Sequence, residues 1–135
     1  MKKTKILIFT GAGVSKESGL DTFRNGDNAL WDNYNIDDVA TDYAWRNNPE
    51  KVIDFYNKRR KEMCGVIPNK AHDIIASLEE KFDVTIVTQN VDNLHEKAGS
   101  TNVIHLHGNI TKLRSDYNCD TKKEYDRDLK IGDVC

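Results

Sequence analysis

The sequence predicts an α/β fold with a parallel sheet, on three observations. Short apolar runs rich in β-branched residues recur at residues 5–10, 84–88 and 103–106. Between them lie segments whose apolar residues have helical spacing. Each run ends in glycine or in polar residues. Strands that alternate with helices are joined by crossovers, because a tight turn cannot connect parallel neighbours.

In the first run, Ile6, Leu7, Ile8 and Phe9 read as a buried strand that stops at Gly11. Gly11 to Ser15 then form a turn, and Ser15 to Ser18 open a short helix. From Gly19 to Asp42 the apolar residues keep no period and turn formers such as Asp21, Asn25, Gly26, Asp27, Asn33 and Asn35 are frequent, which predicts a long loop. Asn48 and Pro49 start a helix, one as cap and one in the first position, and Val52, Ile53, Phe55, Tyr56 and Met63 continue it. Residues 69–81 form a second helix with Ala71, Ile74, Ile75 and Leu78 as its apolar stripe. Residues 84–88 are a second buried strand. Asp92 to Ala98 form a short helix ended by Gly99. Residues 103–106 are a third strand, ended by His107 and Gly108. Beyond Thr111 the chain turns polar, and residues 116–133 offer little to a core.

A chain of 135 residues suits one domain. Twenty basic residues against 22 acidic ones leave a net charge of -2, so bulk charge gives no reason to expect nucleic acid. Lys58, Arg59, Arg60 and Lys61 form a local basic run whose ordinary reading is a solvated helix face. No apolar stretch approaches the ~20 residues that cross a bilayer. The basic start is followed only by Ile6 to Phe9, too short for a secretory signal. Cys64, Cys119 and Cys135 do not make a disulfide framework, and a reducing, cytoplasmic setting is expected.

Several residues carry chemistry. Gly11 and Gly13 after a strand let backbone N–H groups approach a pyrophosphate, and a plain tight turn explains the pair equally well. A dehydrogenase fingerprint would need a third glycine where Lys16 stands. It would also need an acidic residue closing a second strand roughly 20 residues on, so that class is disfavoured. Gln89, Asn90 and Asp92 follow a strand directly, where open α/β sheets bind ligands. Such side chains recognise amides and hydroxyls, and they also make turns and caps. His107 ends a strand and suits proton transfer near neutrality. His72, His95 and His105 compete for that role.

Gly11 to Gly19, then Thr22, Phe23 and Arg24, then Thr88 to Asp92 with Leu94 and His95, then His107 and Gly108, resemble the ordered motifs of the sirtuins. The resemblance runs over roughly residues 5–113. It implies a Rossmann-like parallel sheet with flanking helices, and NAD as cofactor. Gly11, Ala12, Gly13 and Ser15 would hold the pyrophosphate, with Glu17, Ser18, Gly19 and Thr22 in the same cofactor-binding segment. Phe23 and Arg24 would lie in a mobile loop over the nicotinamide ribose. Gln89 would contact ribose, and Asn90 and Asp92 the carboxamide end, with Val91 beside them. The implied substrates are acylated protein lysines, with neither nucleic acid nor membrane as partner. The acyl oxygen attacks the anomeric carbon as nicotinamide leaves, and His107 is general base for the ribose hydroxyl that takes the acyl group. Products are free lysine, nicotinamide and O-acyl-ADP-ribose.

Tyr56 and Arg59, three apart on one helix, are similar to the Tyr-x-x-Arg pair of sirtuins that remove succinyl, malonyl or glutaryl groups. A guanidinium fork and a hydroxyl suit a distal carboxylate, although a core tyrosine beside a surface arginine has the same spacing. Many sirtuins bind zinc through two Cys-x-x-Cys pairs, whereas Cys119 and Cys135 stand alone, so no metal is expected. Sirtuins also continue past this point. Residues 1–135 are therefore expected to be the N-terminal part of an NAD-binding catalytic domain, its sheet incomplete at the C-terminal end. Two other functions keep some of these features: an NAD glycohydrolase or ADP-ribosyltransferase, and a truncated, non-catalytic NAD-binding or interaction module.

Overall fold

The computed structural model describes residues 2–20, 34–115, 122–125 and 127–133. In chain order the elements are β1 (Lys5–Thr10), a 3-10 helix (Ala12–Ser18), α1 (Ile36–Val39), α2 (Asp42–Asn47), α3 (Pro49–Met63) and α4 (Lys70–Ser77), which runs into a 3-10 turn (Leu78–Glu80). Then come β2 (Asp83–Thr88), α5 (Leu94–Lys97), β3 (Val103–His105), β4 (Lys112–Arg114) and β5 (Lys122–Glu124). They fall into two compact units: Met1–Asp21 with Gly65–Asn109, and Thr22–Cys64 with Ile110–Cys135.

The first unit holds a parallel sheet of order β1-β2-β3. Lys5 lies opposite Asp83 and Thr10 opposite Thr88, while Ile86 pairs with Val103 and Thr88 with His105. Aligned residues of parallel neighbours share a face. One face therefore carries Ile6, Ile8, Thr10, Val84, Ile86, Thr88, Val103 and His105, all buried or half-buried. The other carries Leu7, Phe9 and Ile104, which are 69%, 60% and 47% exposed. The continuous apolar runs predict strands covered on both faces. Instead β1 and β3 are open on one.

α4 starts as expected, with the Asn69 side chain accepting the Ala71 N–H at 2.9 Å. The helix turns differently from its predicted stripe. Ala71 and Ile74 are exposed, Ile75 and Leu78 are half-buried, and His72 is the buried residue. Two contacts orient it that way: the His72 ring accepts the Asn69 N–H at 3.3 Å, and it packs against His95 with ring centroids 4.9 Å apart.

In the second unit, α3 begins at the cap Asn48, whose side chain accepts the Lys51 N–H at 3.2 Å. It buries Val52, Ile53, Phe55, Arg59 and Met63. Phe55 and Val39 form a small core with Tyr34, whose ring stands edge-on to Phe55 at 5.0 Å. The long loop predicted from Gly19 to Asp42 is broken by α1 and the start of α2. Two residues that look like loop formers are caps: Asn35 accepts the Asp37 N–H and Thr41 the Ala44 N–H, at 3.1 and 3.0 Å. The polar tail also holds more order than expected, since β4 and β5 pair antiparallel. Their charged sequences give no apolar alternation from which to read strands.

Candidate active site

All three parallel strands end at one edge of the sheet, where α/β sheets place ligands. The segments that follow are stitched together there. The Gln89 N–H donates to the Thr10 carbonyl at 3.0 Å, and the Leu106 N–H to the Thr88 carbonyl at 2.9 Å. This brings the 3-10 helix after β1, the polar segment after β2 and the histidines at the end of β3 to one place.

Beneath that edge lies a buried polar network. Ser15 donates to Asp92 Oδ2 at 2.9 Å and accepts from Asn90 Nδ2 at 3.1 Å. Asp92 Oδ1 accepts the Leu94 N–H at 3.1 Å. Both Asn90 and Asp92 are almost wholly buried. Asn90 Oδ1 is buried without a hydrogen-bond partner among the described residues. An orphaned amide oxygen inside a satisfied network is costly unless a ligand supplies a donor. Nearby, a Cβ at Gly11 or Gly13 would meet nothing within 4 Å. Packing therefore does not require glycine at either position, and the missing side chains leave room for another molecule against the backbone.

His107 is exposed, and its Nδ1 lies 3.1 Å from the Gln89 carbonyl oxygen. A carbonyl only accepts, so Nδ1 carries a proton, and in the neutral ring Nε2 is then the nitrogen with the lone pair, the tautomer a general base needs. Gly108 follows with φ 87°, a left-handed turn that glycine adopts without strain. His105, the last residue of β3, does different work. Its Nδ1 lies 2.8 Å from the Asn90 carbonyl oxygen and its Nε2 2.7 Å from Glu96 Oε1. Both of these partners accept, which favours the doubly protonated ring, while Asn109 Nδ2 lies 3.3 Å from the same Nε2. The His105 pKa is raised, chiefly by the bond to Glu96, with burial opposing. For Glu96, burial alone would raise the pKa, but the His105 bond and charge outweigh it and the result is a lowered value.

His72 and His95 are buried, which removes them from competition with His107 for proton transfer. Burial lowers both pKa values, and for His95 the neighbouring His72 lowers it further. His95 Nε2 lies 3.0 Å from Thr10 Oγ1. Asn69, which the sequence marks only as the first residue of a helix, also holds the 3-10 segment. Its Nδ2 donates to the Val14 carbonyl at 2.7 Å and to Ser18 Oγ at 3.0 Å. Of the other expected site residues, Gln89, Gly13, Glu17 and Gly19 are exposed, and Gly11, Ala12, Ser18 and Val91 are half-buried. Thr22, Phe23 and Arg24 lie outside the described residues.

Tyr56 and Arg59 lie on α3. Burial pushes the Tyr56 phenol up. Arg59 is only 7% exposed, and its Nη1 donates to Glu62 Oε2 at 2.6 Å. The basic run is therefore a solvated face only at Lys58 and Lys61, which are exposed, while Arg59 is buried and Arg60 half-buried. Arg60 donates to the Ile110 carbonyl at 3.2 Å and stacks 5.5 Å over the Tyr125 ring, and Lys61 pairs with Asp128 at 2.7 Å.

The sequence profile described as the Sir2 family matches residues 11–132. This chain belongs to the Sir2 family. Among its Sir2 relatives is an NAD-dependent protein deacylase of Helicobacter pylori, 47% identical over 129 residues, covering 96% of this chain and 56% of the relative. Another NAD-dependent protein deacylase, from Bacteroides thetaiotaomicron, is 47% identical over 134 residues, covering 95% of this chain and 57% of the relative. A solved Sir2 homologue in complex with NAD superposes with a TM-score of 0.80 at 41% identity, over 98% of this chain and 51% of that one. A Sir2 complex with a deacetylated p53 peptide and 3'-O-acetyl-ADP-ribose gives 0.79 at 32% identity, over 98% and 56%. The Sir2 chain described here thus spans little more than half the length of these relatives. Among the described residues no helix is long and apolar enough to cross a membrane, and no group of three His, Cys, Asp or Glu is arranged around a metal. Cys119 and Cys135 lie outside the described residues.

Proposed function

We propose that this chain carries the NAD site and the proton-transfer base of an NAD-dependent protein-lysine deacylase. The observation that carries the reading is His107, exposed at the sheet edge with Nδ1 tied to the Gln89 carbonyl and Nε2 left as base. The buried Ser15, Asn90 and Asp92 network supports it, because the unpartnered Asn90 Oδ1 suits an amide N–H such as that of nicotinamide. The relatives' names and the NAD complex of a homologue point the same way.

When bound, NAD supplies the ADP-ribosyl group that receives the acyl group. Gly11, Ala12, Gly13 and Ser15 hold its pyrophosphate side, with Glu17, Ser18, Gly19, Thr22, Phe23 and Arg24 in the same cofactor-binding segment. Gln89 meets ribose, and Asn90, Val91 and Asp92 the nicotinamide end. Ser15 and the Leu94 N–H fix the Asp92 carboxylate, so it meets a ligand without reorganising. His107 takes the proton from the ribose hydroxyl through Nε2, and the Gln89 carbonyl stabilises the imidazolium that results. Tyr56 and Arg59 read the distal carboxylate of an acid acyl group, which makes succinyl- or malonyl-lysine the preferred substrate class. An exposed free thiol at Cys64 suits a cytoplasmic, reducing setting.

Matched succinyl-lysine and acetyl-lysine peptides, incubated with the chain and NAD beside a His107→Ala control, test the reading by mass spectrometry. Loss of succinyl with appearance of O-succinyl-ADP-ribose, absent in the control, is expected. A preference for acetyl keeps the mechanism and removes the acid-acyl assignment. Free ADP-ribose without deacylation would make the protein a glycohydrolase instead.

A further inference from the structure

We infer that Glu62 tunes acyl specificity, as an internal carboxylate bonded to the Arg59 guanidinium that competes there with the carboxylate of an acid acyl group. The inference rests on the reading of Tyr56 and Arg59 as the acyl-carboxylate pair. Arg59 is buried, so water does little to satisfy its charge, and the protein supplies a counter-charge one turn along α3. The contact, Nη1 to Oε2 at 2.6 Å, is a short charge-assisted bond. Glu62 itself is 52% exposed at its side chain. Its carboxylate is therefore able to leave for water when another carboxylate arrives.

The chemistry of exchange follows from the shapes involved. The end of a succinyl group is two methylenes and a carboxylate, and so is the side chain of glutamate. Succinyl therefore replaces one carboxylate by its near-equivalent at Arg59, and gains only the difference between two similar bonds. A neutral acyl group leaves the Arg59–Glu62 pair in place. Glu62 thus lowers the advantage that Arg59 gives to acid acyl groups, and holds the protein closer to a broad acyl range than Arg59 without that carboxylate would.

The test is the affinity of fluorescein-labelled succinyl-lysine and acetyl-lysine peptides of one sequence for the full chain, read by fluorescence anisotropy. Glutamine keeps the shape of Glu62 and one neutral acceptor but removes the charge. In Glu62→Gln the succinyl-to-acetyl affinity ratio is expected to rise about 5- to 10-fold, the usual size of one partly exposed charge-assisted bond. In Arg59→Met the ratio falls. Arg59→Lys, which keeps charge but loses the fork, guards against misfolding of the methionine variant and lowers the ratio as well. An unchanged ratio in Glu62→Gln beside a fall in the Arg59 variants overturns the role of Glu62 and leaves Arg59 as the reader of the carboxylate. A ratio that no Arg59 variant changes removes the acyl-carboxylate reading and this inference with it. The inference also falls if succinyl peptide fails to bind Glu62→Gln.

Discussion

Replacing His105 by leucine should destabilise the sheet edge more than removing His107, although His107 is the proposed catalytic residue. The protonated His105 ring donates to Glu96 at 2.7 Å and to the Asn90 carbonyl at 2.8 Å. Bonds to charged groups contribute roughly 1.5–3 kcal/mol. The Glu96 side chain is 35% exposed, which lowers that to about 1–2 kcal/mol each, or about 2–4 kcal/mol together. With an unfolding entropy of roughly 2.1 cal/mol/K per residue, this lowers Tm by about 7–14 °C. The pH dependence fixes the cause. The His105 pKa is raised above its ordinary 6.5, so its contribution is full below that value and lost as pH rises through the folded-state pKa. The Glu96 pKa is lowered from 4.5, so its contribution is present above that value and lost as pH falls through the folded-state pKa. The gap in Tm between wild type and His105→Leu, measured by circular dichroism, is therefore widest near pH 5–6.5 and narrows at alkaline pH. A double-mutant cycle with Glu96→Gln should return a coupling of about 1 kcal/mol or more. A gap below about 3 °C, or one equal at pH 6 and pH 9, would refute the imidazolium clamp.

Three further outcomes are expected. Ser15→Ala removes a donor from Asp92 and an acceptor from Asn90, both buried, and should cost about 2–3 kcal/mol by urea denaturation; a change within 0.5 kcal/mol would mean that water replaces the hydroxyl. Because burial holds the His72 and His95 pKa values below 6.5, their neutral forms stabilise the fold above that pH. This contribution is lost as pH falls through the lowered values, so His72→Phe should flatten the decline of the urea midpoint between pH 7 and pH 5, and an unaltered slope would contradict the assignment. Leu7 and Phe9 stand on the open sheet face, so Leu7→Lys with Phe9→Lys should reduce binding of the dye ANS with little change in Tm. Undiminished dye binding would place the accessible apolar surface elsewhere.

How much of this was legible in the sequence depended on how local the signal was. Strand ends at Gly11, Gln89 and His107 are punctuated by the residue types that stop strands, and the Asn48 and Asn69 caps announce their helices. α1 and α2 were hidden because Asn35 and Thr41 serve loops and caps alike. Burial was the least readable property. Continuous apolar residues in β1 suggested two covered faces, yet Leu7 and Phe9 are open. The stripe predicted on α4 left out His72, whose ring packs on His95 of α5. In the site, the polar residues after the strands were visible in the sequence, and the structure brings those segments to one sheet edge. The bond from Ser15 to Asp92 spans 77 positions, and no local pattern announces it. Arg59 and Glu62 sit at helical spacing, but the sequence set Arg59 beside Tyr56 or in a solvated basic run and gave no sign of its bond to Glu62.

Thr10 and His95 meet across 85 positions, and within that span lies the whole segment Thr22–Cys64 of the second unit. In polymer terms that segment belongs to a loop closed by β1 and β2. The entropy of closing a loop grows only with the logarithm of its length, about 0.6 kcal/mol for each doubling. Residues added to or removed from Thr22–Cys64 therefore change the cost of bringing the two strands together by a small fraction of a typical folding free energy. The topology lets the segment that holds α3 change length at small cost while the strand ends keep their register.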